Sequence, residues 1–245
     1  MERIRGEKFM EMKIESPFTT EHGIESYKKN FGNKSVELEK TKIYVVELPT
    51  TWEEYLNSLG QKMRKNLRRV ERELSKRRVV IDNVRRPELN LYNLFVGMHK
   101  KYVGSYMKEE TPFQFDSFKN YIYDIVFKFG GVFVLNMEGN IASMLIYADY
   151  KNCRHHLNIA NNMDFIEYSV GKSIVACAIK DAILGGFKYF SFGEGFDKYK
   201  LEWGCKEVEV LRIKSKFKLV KTIYSPLRKL IPKNIRMKIK GILYR

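Results

Sequence analysis

The chain is 245 residues long, 44% hydrophobic, with a formal net charge of +16. This length supports one substantial core, and 15 Tyr with 16 Phe exclude a disordered chain. No run approaches the ~20 apolar residues of a spanning helix, the N-terminus lacks the apolar stretch of a signal peptide, and Cys153, Cys177 and Cys205 are too scattered for a disulfide framework or a zinc site. A cytoplasmic protein without a metal is the expectation.

In chain order, residues 1–47 read as an N-terminal extension or the remnant of a first domain, with an apolar strand at 43–46 ended by Pro49. Thr51 with Glu54 three residues on forms a capping box, and a helical pattern runs from there to about residue 77 with a break at Gly60. Residues 79–84 predict a strand. Helices are predicted over 88–102 and 115–129, the second ended by Gly130-Gly131. Three strands follow at 132–137, 141–149 and 154–160, joined by tight turns at Glu138-Gly139-Asn140 and 150–153. Residues 170–184 place Ile174, Val175, Ala178, Ile179 and Ala182 on one helix face, closed by Gly185-Gly186. Residues 187–192 alternate as a buried strand does, and Gly193 and Gly195 permit a sharp exit into a helical turn carrying Asp197 to Trp203. A strand over 207–217 completes the sheet. Beyond Pro226 the pattern is a basic amphipathic helix, with Leu227, Leu230, Ile231, Ile235, Ile239 and Ile242 on its apolar face.

The positive charge is concentrated in two places. Residues 210–245 hold twelve Lys/Arg and no acidic residue, and residues 62–78 hold nine Lys/Arg against Glu71 and Glu73. Arg64, Lys65, Arg68, Arg69 and Arg72 are the candidate polyanion contacts, toward RNA or a phosphate-rich ligand. The tail at 226–245 is a candidate for an anionic membrane surface, which places the protein in the cytoplasm with a peripheral site at the inner face of the membrane.

Several short motifs occur in a fixed order. Trp52 to Leu59 reads W-x-x-Y-L-x-S-L and Arg64 to Arg69 reads R-x-N-L-R-R; Ser169 and Gly171 open a helix; Gly186 to Gly193 reads G-x-x-x-F-x-F-G; Tyr199, Lys200, Trp203 and Gly204 read Y-K-x-x-W-G. This order resembles the GNAT-like acyltransferase domain shared with Fem-type (FemAB/FemX-like) peptidyltransferases, over residues 48–225. The resemblance implies an α/β (α+β) fold, a mixed and mostly antiparallel sheet flanked by helices, with the basic helix 52–77 before it. Two departures stand out: Ser191 occupies a strand position often acidic in that group, and the group commonly carries two such domains in tandem.

The same resemblance implies acyl-CoA, such as acetyl-CoA, as donor, with its pyrophosphate at a helix start formed by Val170, Gly171, Lys172 and Ser173, where free N–H groups and the positive helix end suit an anion. Gly171-Lys172-Ser173 is not a nucleotide P-loop, because Ile166 stands where that motif needs glycine. Lys200 is the first catalytic candidate, neutralising charge on the donor carbonyl or a phosphate, and Lys200→Ala is expected to remove most transfer activity with the melting temperature near wild type; the alternative is that Lys198 and Lys200 are solvated helix lysines with Tyr199 and Trp203 as packing. Tyr199 is a hydrogen-bond donor, and Glu194 is the exposed base candidate, with Asp197, His155 and His156 as alternatives. Substrate-binding candidates are Asn158, His156, Asp197 and Trp203. Asn158 is expected on the same strand face as His156, with His155 opposite. His99 is expected to be structural. The expected reaction is acyl transfer to an amine, carried by a small molecule or a cell-envelope precursor. The alternatives are aminoacyl-tRNA as donor, and a non-catalytic basic module that binds RNA or membrane.

Overall fold

The computed structural model describes residues 14–32, 36–107 and 111–214. The chain runs α1 (Glu21–Phe31), β1 (Leu38–Glu47), α2 (Trp52–Ser58), α3 (Gln61–Ser75), β2 (Val79–Arg85), α4 (Leu89–Tyr102), α5 (Asp116–Phe129), β3 (Gly130–Met137), β4 (Asn140–Tyr150), β5 (Cys153–Asn161), α6 (Val170–Leu184), β6 (Tyr189–Glu194), α7 (Lys198–Glu202) and β7 (Lys206–Ile213). The strands form one seven-stranded sheet in the order β2-β3-β4-β5-β6-β1-β7. Every neighbouring pair is antiparallel except β5 and β6.

Local signals set many of these boundaries. The Thr51 hydroxyl accepts from the Glu54 N–H while the Glu54 carboxylate accepts from the Thr51 N–H, so both halves of the capping box are made. Gly60 separates α2 from α3 and acts as the N-cap of the second. The β3–β4 turn takes positive φ at both Glu138 and Gly139, the handedness a two-residue hairpin needs. Gly130 and Gly131 prove to be the first residues of β3 as well as the end of α5. A Cβ on Gly130 would collide with the Tyr147 carbonyl of the neighbouring strand, so close strand approach demands glycine there.

Helices cover both faces. One face buries Met63 and Leu67 of α3, Ile174 and Ile179 of α6, and Phe190 and Trp203 in a single cluster; the other buries Tyr92, Phe95, Ile122 and Ile125 of α4 and α5 over Val132, Met144 and Ile146. Of the residues assigned from sequence to an N-terminal extension, those at 14–32 and 36–47 are part of this body. β1 lies inside the sheet between β6 and β7, and α1 packs on α5 through rings such as Tyr27 against Tyr121 at 5.6 Å. The reason is register: Val45 and Val46 pair with Ser191 and Phe190, filling an edge that β6 would otherwise expose. The last strand ends at Ile213; the expected continuation to 217 and the helix at 226–245 lie outside the described residues.

Candidate active site where two parallel strands part

β5 and β6 pair only over three positions, Cys153 with Tyr189, Arg154 with Phe190 and His155 with Ser191, and then separate. Two sequence features open this gap. Leu157 is an extra residue in β5, because His156 stands opposite Tyr147 and Asn158 opposite Ile146, which is the signature of a bulge. β6 leaves through Gly193 and Gly195, at φ +70° and +83°, conformations costly for other residues. Since β5 and β6 are parallel, their C-terminal ends share one edge of the sheet, the usual place for a ligand in such topologies.

The start of α6 reaches that edge. Gly171 packs against the Asn161 side chain at the end of β5, where a Cβ would meet the amide at 3.0 and 3.1 Å, and Asn161 is held by the Ser143 hydroxyl at 2.7 Å. Ser169 precedes the helix in the left-handed conformation and no side chain caps it. The Ser173 hydroxyl turns back to the Ser169 carbonyl at 3.1 Å, so it is not free for a ligand as the sequence reading expected. Val170 is fully buried, backbone included, leaving the Gly171 N–H as the available backbone group. The basic α3 packs beside α6, burying Met63, Leu67 and Val70 while Lys65, Arg68, Arg69 and Arg72 stay exposed. Its charges are only partly spoken for: Arg68 pairs with Glu53 at 3.1 Å, whereas Arg64 bonds Asn57, Arg69 bonds Asn66 and Arg72 bonds the Arg68 carbonyl. Just past α3, the Arg77 guanidinium lies 4.2 Å from the centre of the Tyr168 ring, one residue before Ser169.

On the α6 face of the gap, four sequence candidates gather around Phe192. The rings of His156, Tyr199 and Trp203 each lie 5.9 Å from it, and Lys200 is on the same short helix as Tyr199. His156 Nε2 and Trp203 Nε1 are buried and without hydrogen-bond partners, two open positions at the bottom of the gap. Burial, and secondarily the positive charge of Lys200, push the His156 pKa down to about 4, so its ring is neutral near pH 7. Burial likewise raises the Tyr199 hydroxyl above its ordinary range.

Lys200 is only 7% exposed. Its ammonium donates to the Glu194 carbonyl at 2.7 Å and the Gly193 carbonyl at 3.4 Å, and sits 5.3 Å from the centre of the Tyr44 ring. Lys200 is therefore not a solvated lysine, and the expectation of an unchanged melting temperature on its removal is corrected: the strand exit folds its carbonyls onto Nζ, and the residue fastens that turn. Burial lowers its pKa. Asp197 caps α7, accepting from the Tyr199 N–H at 3.0 Å, and the Glu194 carboxylate is ion-paired with Arg212.

Asn158 is not on the face of His156. The Leu157 bulge turns it to the opposite side, where its Oδ1 accepts from the Ile159 N–H and its amide lies beside the buried His99, whose Nδ1 meets the Thr111 hydroxyl at 3.1 Å. His155 shares that side and bonds the Glu15 carbonyl through Nε2 at 3.1 Å. Ser191, where a carboxylate was noted as missing, is buried and accepts from the Gly193 N–H at 3.1 Å, so its hydroxyl shapes the strand exit.

This second side of the gap holds what sequence reasoning missed, a cavity of about 480 Å³ between the strand ends and α1 and α5. His155, Leu157, Asn158, Ser191 and Gly193 form its sheet wall, and Phe18, Tyr27, Phe31, Phe118 and Tyr121 its helical wall. The dense aromatics of residues 18–31 and 113–121 were its one sequence signal. Among the described residues no cluster of side chains could hold a metal ion, and no helix is long and apolar enough to cross a membrane.

Comparison with known proteins agrees with this architecture. FemX aligns with a TM-score of 0.55 and 13% identity, over 74% of this chain and 63% of its own length, a likeness of fold in which this chain spans under two thirds of that protein. The C-terminal domain of a putative lysylphosphatidylglycerol synthetase from Agrobacterium fabrum and L-PGS from Bacillus licheniformis align with TM-scores of 0.49 and 0.46 and identities of 13% and 14%, over 73% of this chain and 62% and 60% of theirs. No curated protein matches the sequence. Residues 61–201, from the start of the basic helix through the turn that carries Lys200, match the family described as the acetyltransferase (GNAT) domain; with more than half its length matched, the chain belongs to that family.

Proposed function

We propose that the protein transfers an acyl group from acyl-CoA to an amine. The observation that carries this reading is the opening between β5 and β6, bordered by the uncapped start of α6 and backed by a cavity. The donor's pyrophosphate binds at the start of α6, at the Gly171 N–H with Lys172 beside it. Its amide-bearing arm lies in the gap, where Trp203 Nε1 and His156 Nε2 are the unfilled hydrogen-bonding positions. The amine attacks the thioester carbonyl as the neutral base, through a tetrahedral intermediate whose collapse expels the thiolate. Glu194 or solvent removes the amine's proton, while Lys200 acts by holding the Gly193 and Glu194 carbonyls in place.

Lys172→Glu tests the donor site. It reverses the charge beside the helix start, weakening CoA in calorimetric titration at least tenfold, while thermal stability holds or rises because an acidic residue suits a helix N-terminus. Unchanged CoA affinity would refute the site. Lys200→Met tests the second element. We expect at least a tenfold loss of transfer together with a lower melting temperature, since two carbonyls lose a buried donor worth about 1–3 kcal/mol. Lys200→Arg, which keeps a donor, is expected to recover part of both; full activity in Lys200→Met would remove the lysine from the mechanism.

The exposed cations of α3 favour one second reading, aminoacyl-tRNA as donor. Filter binding at two salt concentrations decides it. Charged tRNA bound in preference to uncharged tRNA would displace acyl-CoA, and salt-sensitive binding of both forms alike would not.

A further inference from the structure

The cavity behind the strand gap has a chemistry that narrows the substrate. Its helical wall is Phe18, Tyr27, Phe31, Phe118, Tyr121 and Ile122, and apolar strand residues such as Ile43 and Ile146 line the rest. Most of its lining is apolar, and of the few polar groups several are committed inside the protein, while His156 brings one unpartnered ring nitrogen to the sheet wall. Arg212 is held by Glu39 and Glu194, the His155 ring by the Glu15 carbonyl, and Ser191 and Asn158 accept from the N–H groups of Gly193 and Ile159. A sugar or a charged group placed there would give up its hydration for too few partners, at a cost of several kcal/mol, whereas hydrocarbon gains by leaving water. The cavity also touches both parting strands, through Leu157 and Asn158 on one and Gly193 on the other, so a group entering through the gap passes directly into it.

We infer that this cavity is a hydrocarbon subsite, and that its occupant is the acyl chain of the donor, several methylenes longer than acetyl. The inference rests on the reading that acyl-CoA binds in the gap. At 480 Å³ the space is far larger than an acetyl group requires and falls within the range of small-molecule pockets. Each methylene buried contributes about 0.8 kcal/mol, which corresponds to roughly a fourfold gain in affinity.

Calorimetric titration of the full chain with CoA, acetyl-CoA, hexanoyl-CoA, octanoyl-CoA and dodecanoyl-CoA tests this, with n-alkylamines of the same lengths in parallel. We expect affinity to rise roughly fourfold per methylene beyond acetyl until the cavity is full, and then to level off. Ile122→Phe, which shrinks the cavity, is expected to flatten that rise and leave affinity for free CoA unchanged; the wild-type series stands on its own if this variant does not fold. CoA binding without chain-length dependence would overturn the inference and leave the donor site intact. Dependence on alkylamine length alone would assign the hydrocarbon to the acceptor and overturn it. Failure of every CoA species to bind would overturn both this inference and the proposed function.

Discussion

Replacing Arg154 with methionine is expected to destabilise the protein by about 2–4 kcal/mol, because it takes the buried cation from a carboxylate that keeps only the partly exposed Arg85. Arg154 has no exposed surface, and its guanidinium bonds Asp149 twice, at 2.7 and 2.9 Å, and Asp181 at 2.5 Å. It is ringed by Tyr147, Phe133 and Phe187 at 4.4, 5.7 and 5.1 Å from their centres. Asp149 is only 9% exposed and Asp181 is 41% exposed, so the larger loss falls on Asp149, which keeps only Arg85, at 2.9 Å, as a cation partner. Asp149→Asn is accordingly expected to cost more than Asp181→Asn. Urea unfolding measures all three; a loss under about 1 kcal/mol for Arg154→Met would mean that the pair is solvated and the packing around it is wrong. The network has a consequence for the site as well. Arg154 belongs to the last pairs of the β5–β6 ladder before the strands part, and Asp181 lies on α6, so this ion pair ties the helix to the apex of the gap.

Acidification from pH 6.5 to 4 is expected to remove about 2–3 kcal/mol of stability for each of three histidines. Burial is the first cause in each, and it pushes His99, His155 and His156 down to about 4, with a further lowering of His156 by Lys200. In the unfolded chain these groups titrate near 6.5, so between the two values the unfolded state binds more protons and stability rises with pH. The contribution is therefore complete above pH 6.5 and is lost as pH falls through about 4. The slope reaches about 1.4 kcal/mol per pH unit for each histidine. Replacing His99 with glutamine, which can still meet Thr111, is expected to remove about a third of that slope while leaving stability at pH 7.5 within about 1–2 kcal/mol. Denaturation curves at half-unit pH intervals give the slope directly; equal slopes in wild type and variant would place His99 in contact with solvent.

Elements with a strong local signal were legible in the amino-acid order. The Thr51–Glu54 cap, the break at Gly60, the hairpin at Glu138-Gly139 and the helix over 170–184 each follow from a few neighbouring residues, whose hydrogen bonding and φ preferences are settled within one turn of chain. The family was legible for a related reason, since ordered short motifs report the same local constraints in sequence. The arrangement of the site was less so. Strand alternation placed Asn158 with His156, and one extra residue, Leu157, reversed it, because a bulge depends on the register of the neighbouring strand and leaves no mark in its own composition. Lys200 reads as one of several surface lysines, and its burial is decided by carbonyls six and seven residues away that turn back onto it.

The sequence by itself therefore determined the order of strands and helices from β1 onward, the two glycines that let β6 exit and the excess of basic charge on α3, all properties of single segments, while α1 went unread. Only the tertiary structure decided that β1 inserts between β6 and β7, that Arg154 is buried between two carboxylates, and that rings from residues 18–31 and 113–121 meet over the strand gap to enclose a cavity. Those outcomes depend on pairings between separate segments, some of them more than a hundred residues apart, where burial, register and charge compensation are settled between stretches that carry no local record of one another.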